Sequence, residues 1–531
     1  MMQQGQAEEI IRRCDTMKGN RTTWESHWEE VAEYVAPRYG GITGVNTKGG
    51  KRMEKVFDCT AIDANDIFAA GLFGHLCNGR WFLLKDQNPG GEDANWFSEA
   101  SRVLLEEFAV SNFGQMIHEY FKKLGSLGTA CLFEEEGEPG KPTLNFREFN
   151  IKSYYILENS KGLVDTIYRR FSQSARQAVQ EWGIENVGQA VQKAFNDHKK
   201  KDEPFEFIHA VFPREERDDT KSDKENLAFA SVYIAVKDKK IMEEGGYQEL
   251  PFMVTRVDKE SDEIYGRSPG MKMLPEIKLL NKIVKTTLKA AEKVVDPPLQ
   301  VPDDGFISPF KTSPGGLMYY KAGGQDRIEP LNTNGNIGLG LEMEDRRRES
   351  ITKAFFVDLF LMLADKKNMT ATEVLERVEE KLLLLGPMLG RLQSELFNPL
   401  IDRTMGILLR AGKLPPVPEG IEAYEIEYLG KLAIAMRLME VKAMRDTIGY
   451  IAPFAEANPA VMDNFNQDNI VRGISERLGN PMDWMNTKEE VEEIRGVRAK
   501  EAELQQMLEA ADAVPKLGKA VEPGSPLEML G

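Results

Sequence analysis

Residues 278–293 read Lys278-Leu-Leu-Asn-Lys282-Ile-Val-Lys285-Thr-Thr-Leu-Lys289-Ala-Ala-Glu-Lys293. At about 100° per residue, these spacings keep all five ammonium groups on one stripe of a helix. Ile277, Leu280, Val284, Leu288, Ala291 and Val295 fall on the opposite side. Such a helix docks one face and presents the other, uniformly cationic, outward. Ordinary solvated faces mix signs, because acids and bases one turn apart relieve repulsion. Residues 271–295 instead hold six lysines against Glu276 and Glu292, a balance of +4, in a chain whose formal net charge is −17.

Asp296-Pro297-Pro298 stops this helix, since the residue before a proline is pushed out of the α region. The following span, 296–340, holds eight glycines and six prolines in 45 residues, which excludes long regular elements. Short runs at 299–301 and 316–322 can still form a small hairpin. Phe306, Phe310, Leu317, Tyr319 and Tyr320 make the span too apolar for a solvated linker. Helix resumes over 341–364, dense with charge in its first half. Asp365-Lys366-Lys367-Asn368 breaks it, and Thr370-Ala-Thr-Glu373 is a capping-box sequence that starts another helix. That helix runs to Arg410, with kinks expected at Gly386-Pro387 and Asn398-Pro399.

On the N-terminal side, helical patterns over 7–36, 61–84, 92–128 and 173–198 alternate with β-favouring runs within 143–170, 205–212, 227–237 and 251–257. Residues 430–480 read as helix broken near its prolines. A polar, acidic helix begins near 487, and a Pro/Gly-rich tail near 515. The expected fold class is α+β, mainly helical.

At 531 residues, with 41% apolar and 29% charged content, the chain is long enough for a few structural units with a real core. The acidic balance argues against a basic-surfaced nucleic-acid-binding domain. It leaves open a protein that lets a polyanion pass without gripping it. Cys14, Cys59, Cys77 and Cys131 are widely spaced and contain no C-x-x-C, so they read as reduced thiols of a cytoplasm-like compartment. The start, Met1-Met2-Gln3-Gln4, has no apolar signal core. Phe355 to Leu363 is too short to span a membrane and contains Asp358.

The search for chemistry returns no catalytic constellation and implies no cofactor. No P-loop is present. Gly335-Asn-Ile-Gly338-Leu-Gly340 lacks the order of a dinucleotide fingerprint and reads as loop. His118-Glu119 begins a zinc-protease string, but Lys122 stands where the second histidine belongs. His27, His75, His118, His198 and His209 are scattered, so spacing shows no metal cluster. Gly266-Arg-Ser268-Pro-Gly270 fits the nucleophile-elbow pattern G-x-S-x-G. The residue after that serine must lend a backbone N–H to an oxyanion, and Pro269 has none. Ser268 therefore reads as a helix cap with Pro269 at the first helical position.

The order of elements resembles the head-to-tail connector, or portal, proteins of short-tailed (podovirus) phages. Three strings carry the resemblance. The first is Arg21-Thr-Thr-Trp24-Glu-Ser-His-Trp28-Glu-Glu-Val-Ala-Glu-Tyr34-Val-Ala-Pro37-Arg38, and the second is Asp296-Pro-Pro-Leu-Gln-Val-Pro302. The third and most specific runs from Met369-Thr-Ala-Thr-Glu-Val374 through Gly386-Pro387 to Pro399-Leu-Ile-Asp-Arg403. Together they cover about residues 1–480 in element order.

The resemblance implies a ring, a dodecamer in the family, at one capsid vertex. Double-stranded DNA passes non-specifically through the ring, driven inward by a separate terminase ATPase. The implied partners are further copies of the chain, terminase, scaffolding protein, capsid protein and a tail adaptor. The implied location is the virion, after assembly in the host cytoplasm. Residues 1–270 would form the wing, 271–295 and 341–364 the stem, and 296–340 the clip. Residues 365–429 would hold the channel loop and the long kinked wing helix, and 430–531 the crown and tail.

Lys278, Lys282, Lys285, Lys289, Lys293, Arg346, Arg347, Lys366 and Lys367 are then the expected DNA-facing residues. Phe306, Phe310, Tyr319 and Tyr320 are the expected docking residues. Arg346, Arg347 and Arg348 point about 100° apart in succession, so at most two can face the channel and the others pair with acids. An intracellular enzyme with an unrecognised site and a non-portal helical scaffold are the alternatives.

Overall fold

The helix expected over 7–36 is two helices, α1 (Met2–Asn20) and α2 (Thr22–Val35), joined at Arg21. This is one of several places where a computed structural model of the chain refines the sequence pattern. It describes residues 2–300 apart from 45–46, 48, 87–93, 138–141, 219–220 and 222, then 329–330, 337–364, 384–418, 424–477, 485–486, 490–502 and 504. These residues fall into two compact units, 1–432 and 433–531. The fold is α+β and mainly helical.

In the first unit, α3 (Thr60–Leu76), α4 (Ala94–Val110) and α5 (Phe113–Leu127) follow α2, with β1 (Phe82–Asp86) between α3 and α4. The patterns 61–84 and 92–128 each extend past a real helix end. The apolar run at 81–84 is a strand. Asn112 breaks the second pattern by accepting from and donating to the Phe146 backbone, both at 2.8 Å.

Two antiparallel sheets come next. β2 (Thr129–Glu136) lies between β3 (Leu144–Phe149) and β9 (Phe252–Arg256). β4 (Tyr154–Glu158), β5 (Val164–Ser174), β6 (Pro204–Pro213), β7 (Phe229–Ala235) and β8 (Lys240–Tyr247) form a five-stranded meander. Side chains alternate across a strand with period two, and the meander buries both faces this way. Ile208, Ala210, Val232 and Ile234 pack on Ala7, Ile10, Cys14 and Met17 of α1. Phe207 and Ala235 pack on the other side against α6 (Ala175–Trp182) and α7 (Gln189–Asn196). A capping box of Ser174 and Gln177 starts α6, and Gly183, at φ +82°, ends it, so the helix expected over 173–198 is two.

The three-stranded sheet covers the rest of that face at His209. The ring of His209 stacks 4.0 Å from that of Tyr233, near Phe133 and Phe252. Burial pushes this imidazole down to about 3, so it stays neutral in the core.

Beyond the meander come α8 (Pro269–Val295), α9 (Ile337–Ala354) and α10 (Val357–Ala364). The helix expected over 341–364 is therefore two, broken where Phe356 adopts φ +56°. A bulky residue there is strained, and the neighbouring core holds it. The Phe355 and Phe360 rings meet Phe68, and Phe360 lies so close over Gly71 that a Cβ there would come within 2.3 Å of it. Between α8 and α9, β10 (Leu299–Gln300) pairs with β11 (Glu329–Pro330), not with 316–322, which lies outside the described residues.

Helix is described again from 384, through a π-helical turn, Gln393–Phe397, to Asn398–Arg410. The turn sits where Pro399 withdraws its N–H from the helical ladder. β12 (Tyr424–Tyr428) then pairs antiparallel with β1. The second unit contains most of the helix Lys431–Ala457, the helix Gln467–Arg477 and a further helical stretch from 490. In it Arg495 makes a bidentate pair with Asp468 at 2.6 and 2.7 Å.

Glu134 is wholly buried between β2 and the helix Asn398–Arg410. It accepts from Thr404 Oγ1 at 2.7 Å, while its Oε2 has no partner. Burial pushes its carboxyl from 4.5 up to about 8. Between those values the folded chain keeps a proton that the unfolded chain has released. The stability this group contributes is therefore complete below 4.5 and declines as pH rises toward 8. We expect wild type to lose about 2–3 kcal/mol between pH 6 and pH 8 through this group, and Glu134→Gln to flatten that slope. Urea titrations at the two pH values measure it, and parallel slopes would refute it.

Candidate functional site

The helix pair α8 and α9 is rooted in the core of the first unit. Ser268 is the N-cap of α8: its Oγ accepts from Met271 N at 2.8 Å and donates to the Ser126 carbonyl at 2.6 Å. It is wholly buried, and Pro269 takes the first helical position. The elbow motif is thus a helix start, as its proline required. Gly128, at φ +79°, lets β2 pass Gly266, whose carbonyl would stand 2.3 Å from a Cβ at 128.

Met271, Leu274, Ile277, Leu280 and Val284 are buried, on the side the sequence pattern marks. Further along the helix that side opens, with Leu288 half exposed and Val295 86% exposed. Asn281 interrupts the apolar side and is buried. Its Oδ1 accepts from the Phe57 and Asp58 amides at 2.7 and 3.2 Å, and its Nδ2 donates to the Ile277 carbonyl at 2.9 Å. Asp58, held in place this way, accepts from Thr60 N at the start of α3 and from Arg348 of α9 at 3.0 Å. Arg348 also bonds Glu344 at 3.2 Å and Asp345 at 3.0 Å.

Direct contacts complete the pair. Arg347 reaches across to Glu276 at 2.9 Å. Gly340 abuts Thr287, whose Oγ1 would lie 2.8 Å from a Cβ at 340. The helices can approach this closely because the residue is glycine.

All five stripe lysines are exposed, including Lys278, Lys282 and Lys285 in the body-proximal half. Lys278 pairs with Glu30 of α2, which holds its pKa up, and Lys285 sits 4.9 Å over the Phe57 ring. Among the described residues, Lys282, Lys289 and Lys293 make no ion pair. Arg346 is exposed and pairs with Glu342 one turn away at 2.6 Å. All three consecutive arginines pair with acids, and Arg347 bridges α9 to α8. Lys366 and Lys367, and the expected docking residues Phe306, Phe310, Tyr319 and Tyr320, lie outside the described residues.

The Asn281–Asp58–Arg348 junction was not anticipated. A polar residue on an otherwise apolar stripe is the signal that could have found Asn281, since such a group is buried only with partners. Nothing in the sequence alone separates Arg348 from its two neighbours.

No group of three or more His, Cys, Asp and Glu among the described residues is placed to hold a metal. No described helix is long and apolar enough to cross a membrane. Cys14, Cys77 and Cys131 are buried, Cys59 is exposed, and none is paired.

Comparison with known proteins matches residues 7–485 to the family of bacteriophage head to tail connecting proteins. The portal protein of Salmonella phage epsilon15 is 30% identical over 538 residues, covering 98% of this chain and 96% of its own length. The probable portal protein of Bordetella phage BPP-1 is 30% identical over 537 residues with the same coverage. A chain from the virion of a native gene transfer agent particle aligns at 11% identity over 84% of this chain and 99% of its own, but its TM-score of 0.40 is too low to carry an argument. A match that spans both units, together with relatives aligned over nearly their whole length, establishes that the chain belongs to the bacteriophage head to tail connecting protein family.

Proposed function

We propose that copies of this chain form a portal ring at one capsid vertex, twelve in number as the family resemblance implies. The ring surrounds the passage through which double-stranded DNA enters and leaves the capsid. The observation that carries the reading is full-length similarity to two proteins named as portals. The chain's part is structural, and the motor is a separate terminase ATPase. Residues 296–340 are the docking tip for terminase and later for a tail adaptor, with Phe306, Phe310, Tyr319 and Tyr320 as contact residues. Scaffolding and capsid proteins meet the ring during assembly in the host cytoplasm, and the mature location is the virion.

The electrostatics support a conduit. A net charge of −17 keeps the protein from holding DNA tightly, and sparse exposed cations can touch phosphates and release them. On the stem, Lys289 and Lys293 meet no acid among the described residues, and lysine contacts phosphate as a mobile point charge without reading sequence. Lys366 and Lys367 are proposed for the same task in the channel loop.

Negative-stain electron microscopy of the purified full-length chain tests the reading: rings with a central hole are expected, and compact monomers would reject it. Phage carrying Lys289→Gln with Lys293→Gln should assemble rings but package DNA more slowly, with a weaker dependence on salt. Unchanged packaging would remove these two lysines from the passage.

A further inference from the structure

The outer flank of α8 is cationic, whereas the outer flank of α9 sets three acids, Glu342, Asp345 and Glu349, beside Arg346 and Lys353 and is only weakly acidic. On α8, Glu276 and Thr287 make the contacts to α9. At about 100° per residue, Lys278, Lys282 and Lys285 fall on the side turned away from α9. On α9, Gly340 and Arg347 make the contacts to α8, so Glu342, Asp345 and Glu349 fall on the side turned away from α8. All three acids are exposed. Their partners lie on their own helix within one turn: Arg346 at 2.6 Å, Arg348 at 3.0 Å and Lys353 at 2.7 Å. Exposed pairs of this kind hold weakly and are easily shared with a new cation.

Height along the stem matches as well. The helices run antiparallel, with Glu276 beside Arg347 and Thr287 beside Gly340, so Lys282 and Lys285 stand level with Glu342 and Asp345. Lys289 and Lys293 stand beyond these acids, toward the tip.

We infer that these flanks form the seam between neighbouring copies: the lysine flank of α8 in one copy packs against the acidic flank of α9 in the next. The inference rests on the ring reading above. Head-to-tail contact joins two different faces, and rotation about a ring axis preserves height, so opposite charges at one level meet their complements in every copy. The expectation that the whole stripe faces DNA is thereby divided. Lys278, Lys282 and Lys285 serve assembly, and only the two distal lysines remain for the passage.

The seam predicts a specific rescue. Full-length chain carrying Lys282→Glu and Lys285→Glu presents two acidic flanks, and chain carrying Glu342→Lys and Asp345→Lys presents two basic ones. Each variant alone should yield at least tenfold fewer rings than wild type by size-exclusion chromatography with light scattering, while its thermal unfolding stays cooperative. Mixed in equal amounts, the two should form rings of alternating subunits, because every junction then joins opposite charges. If both variants assemble alone as well as wild type, or if folded variants fail to assemble when mixed, the seam is wrong. Absence of rings from wild type would instead reject the portal reading itself.

Discussion

Arg21→Ala is expected to cost the first unit about 4 kcal/mol, because it removes one partner from a buried, fully bonded ion pair. The Arg21 side chain is 1% exposed, and Glu25, which it meets at 2.7 Å, is 16% exposed. The guanidinium also donates to the carbonyls of Ile151, at 2.8 Å, and Tyr154, and lies 4.2 Å over the Tyr155 ring. Removing it leaves a half-buried carboxylate and two carbonyls without their donor, and opens a hole beside Trp28 and Tyr265. Trp28 donates to the Leu127 carbonyl at 3.1 Å, so the string from Arg21 to Trp28 ties α2 both to the foot of β4 and to the end of α5. Arg21→Lys should recover only part of the loss, since an ammonium cannot reach the carbonyls and the carboxylate with one fork. Urea unfolding followed by tryptophan fluorescence measures both variants. A loss below about 1 kcal/mol for the alanine variant would show that the site collapses and heals.

The second large effect is expected at Arg256, whose side chain is 1% exposed at the end of β9. It pairs with Glu158 of β4 and with Glu395 in the π-helical turn, and donates to the Gly162 carbonyl at 3.0 Å. Its backbone N–H adds a bond to Glu395 at 2.9 Å. Lys259 reaches Glu158 at 2.7 Å but does not replace the contact to Glu395. Arg256→Ala leaves Glu395 buried without its cation, at a cost of about 3–5 kcal/mol. The damage should concentrate at the turn: amides of 393–397 should exchange with solvent much faster than those of α5. Adding Glu395→Gln to Arg256→Ala removes the stranded charge and should recover part of the stability. If the double variant is no better than the single, the ion pair is not what holds the turn.

These two arginines also mark where sequence reasoning ended. The α8 stripe was legible because a 3.6-residue period sustained from Ile277 to Val295 is a strong signal, and Ser268-Pro269 was legible because proline chemistry excluded the alternative. β1 was taken for the end of a helix, since a short apolar run fits either element and its partner β12 lies far along the chain. The break at Phe356 carries neither glycine nor proline; the packing of Phe355 and Phe360 against Phe68 imposes it. Lysine spacing predicted exposure along the stripe correctly. It did not reveal which charges of α9 lie away from α8, because that depends on which side of each helix the other one occupies.

The pairing of β1 with β12 fixes when the protein can finish folding. Residues 82–86 find their partner among the described residues only at 424–428. At bacterial rates of about 5–20 residues per second, the ribosome needs roughly 20–70 s to make the intervening chain. Throughout that interval β1 is an unpaired edge, open to pairing with another nascent chain. Helix α8 emerges well before β12, so its charged side is made before the body that orients it has closed. In the proposed ring, assembly is then a step for released chains. A chain truncated before residue 424 should aggregate through β1 instead of stopping at a smaller ring.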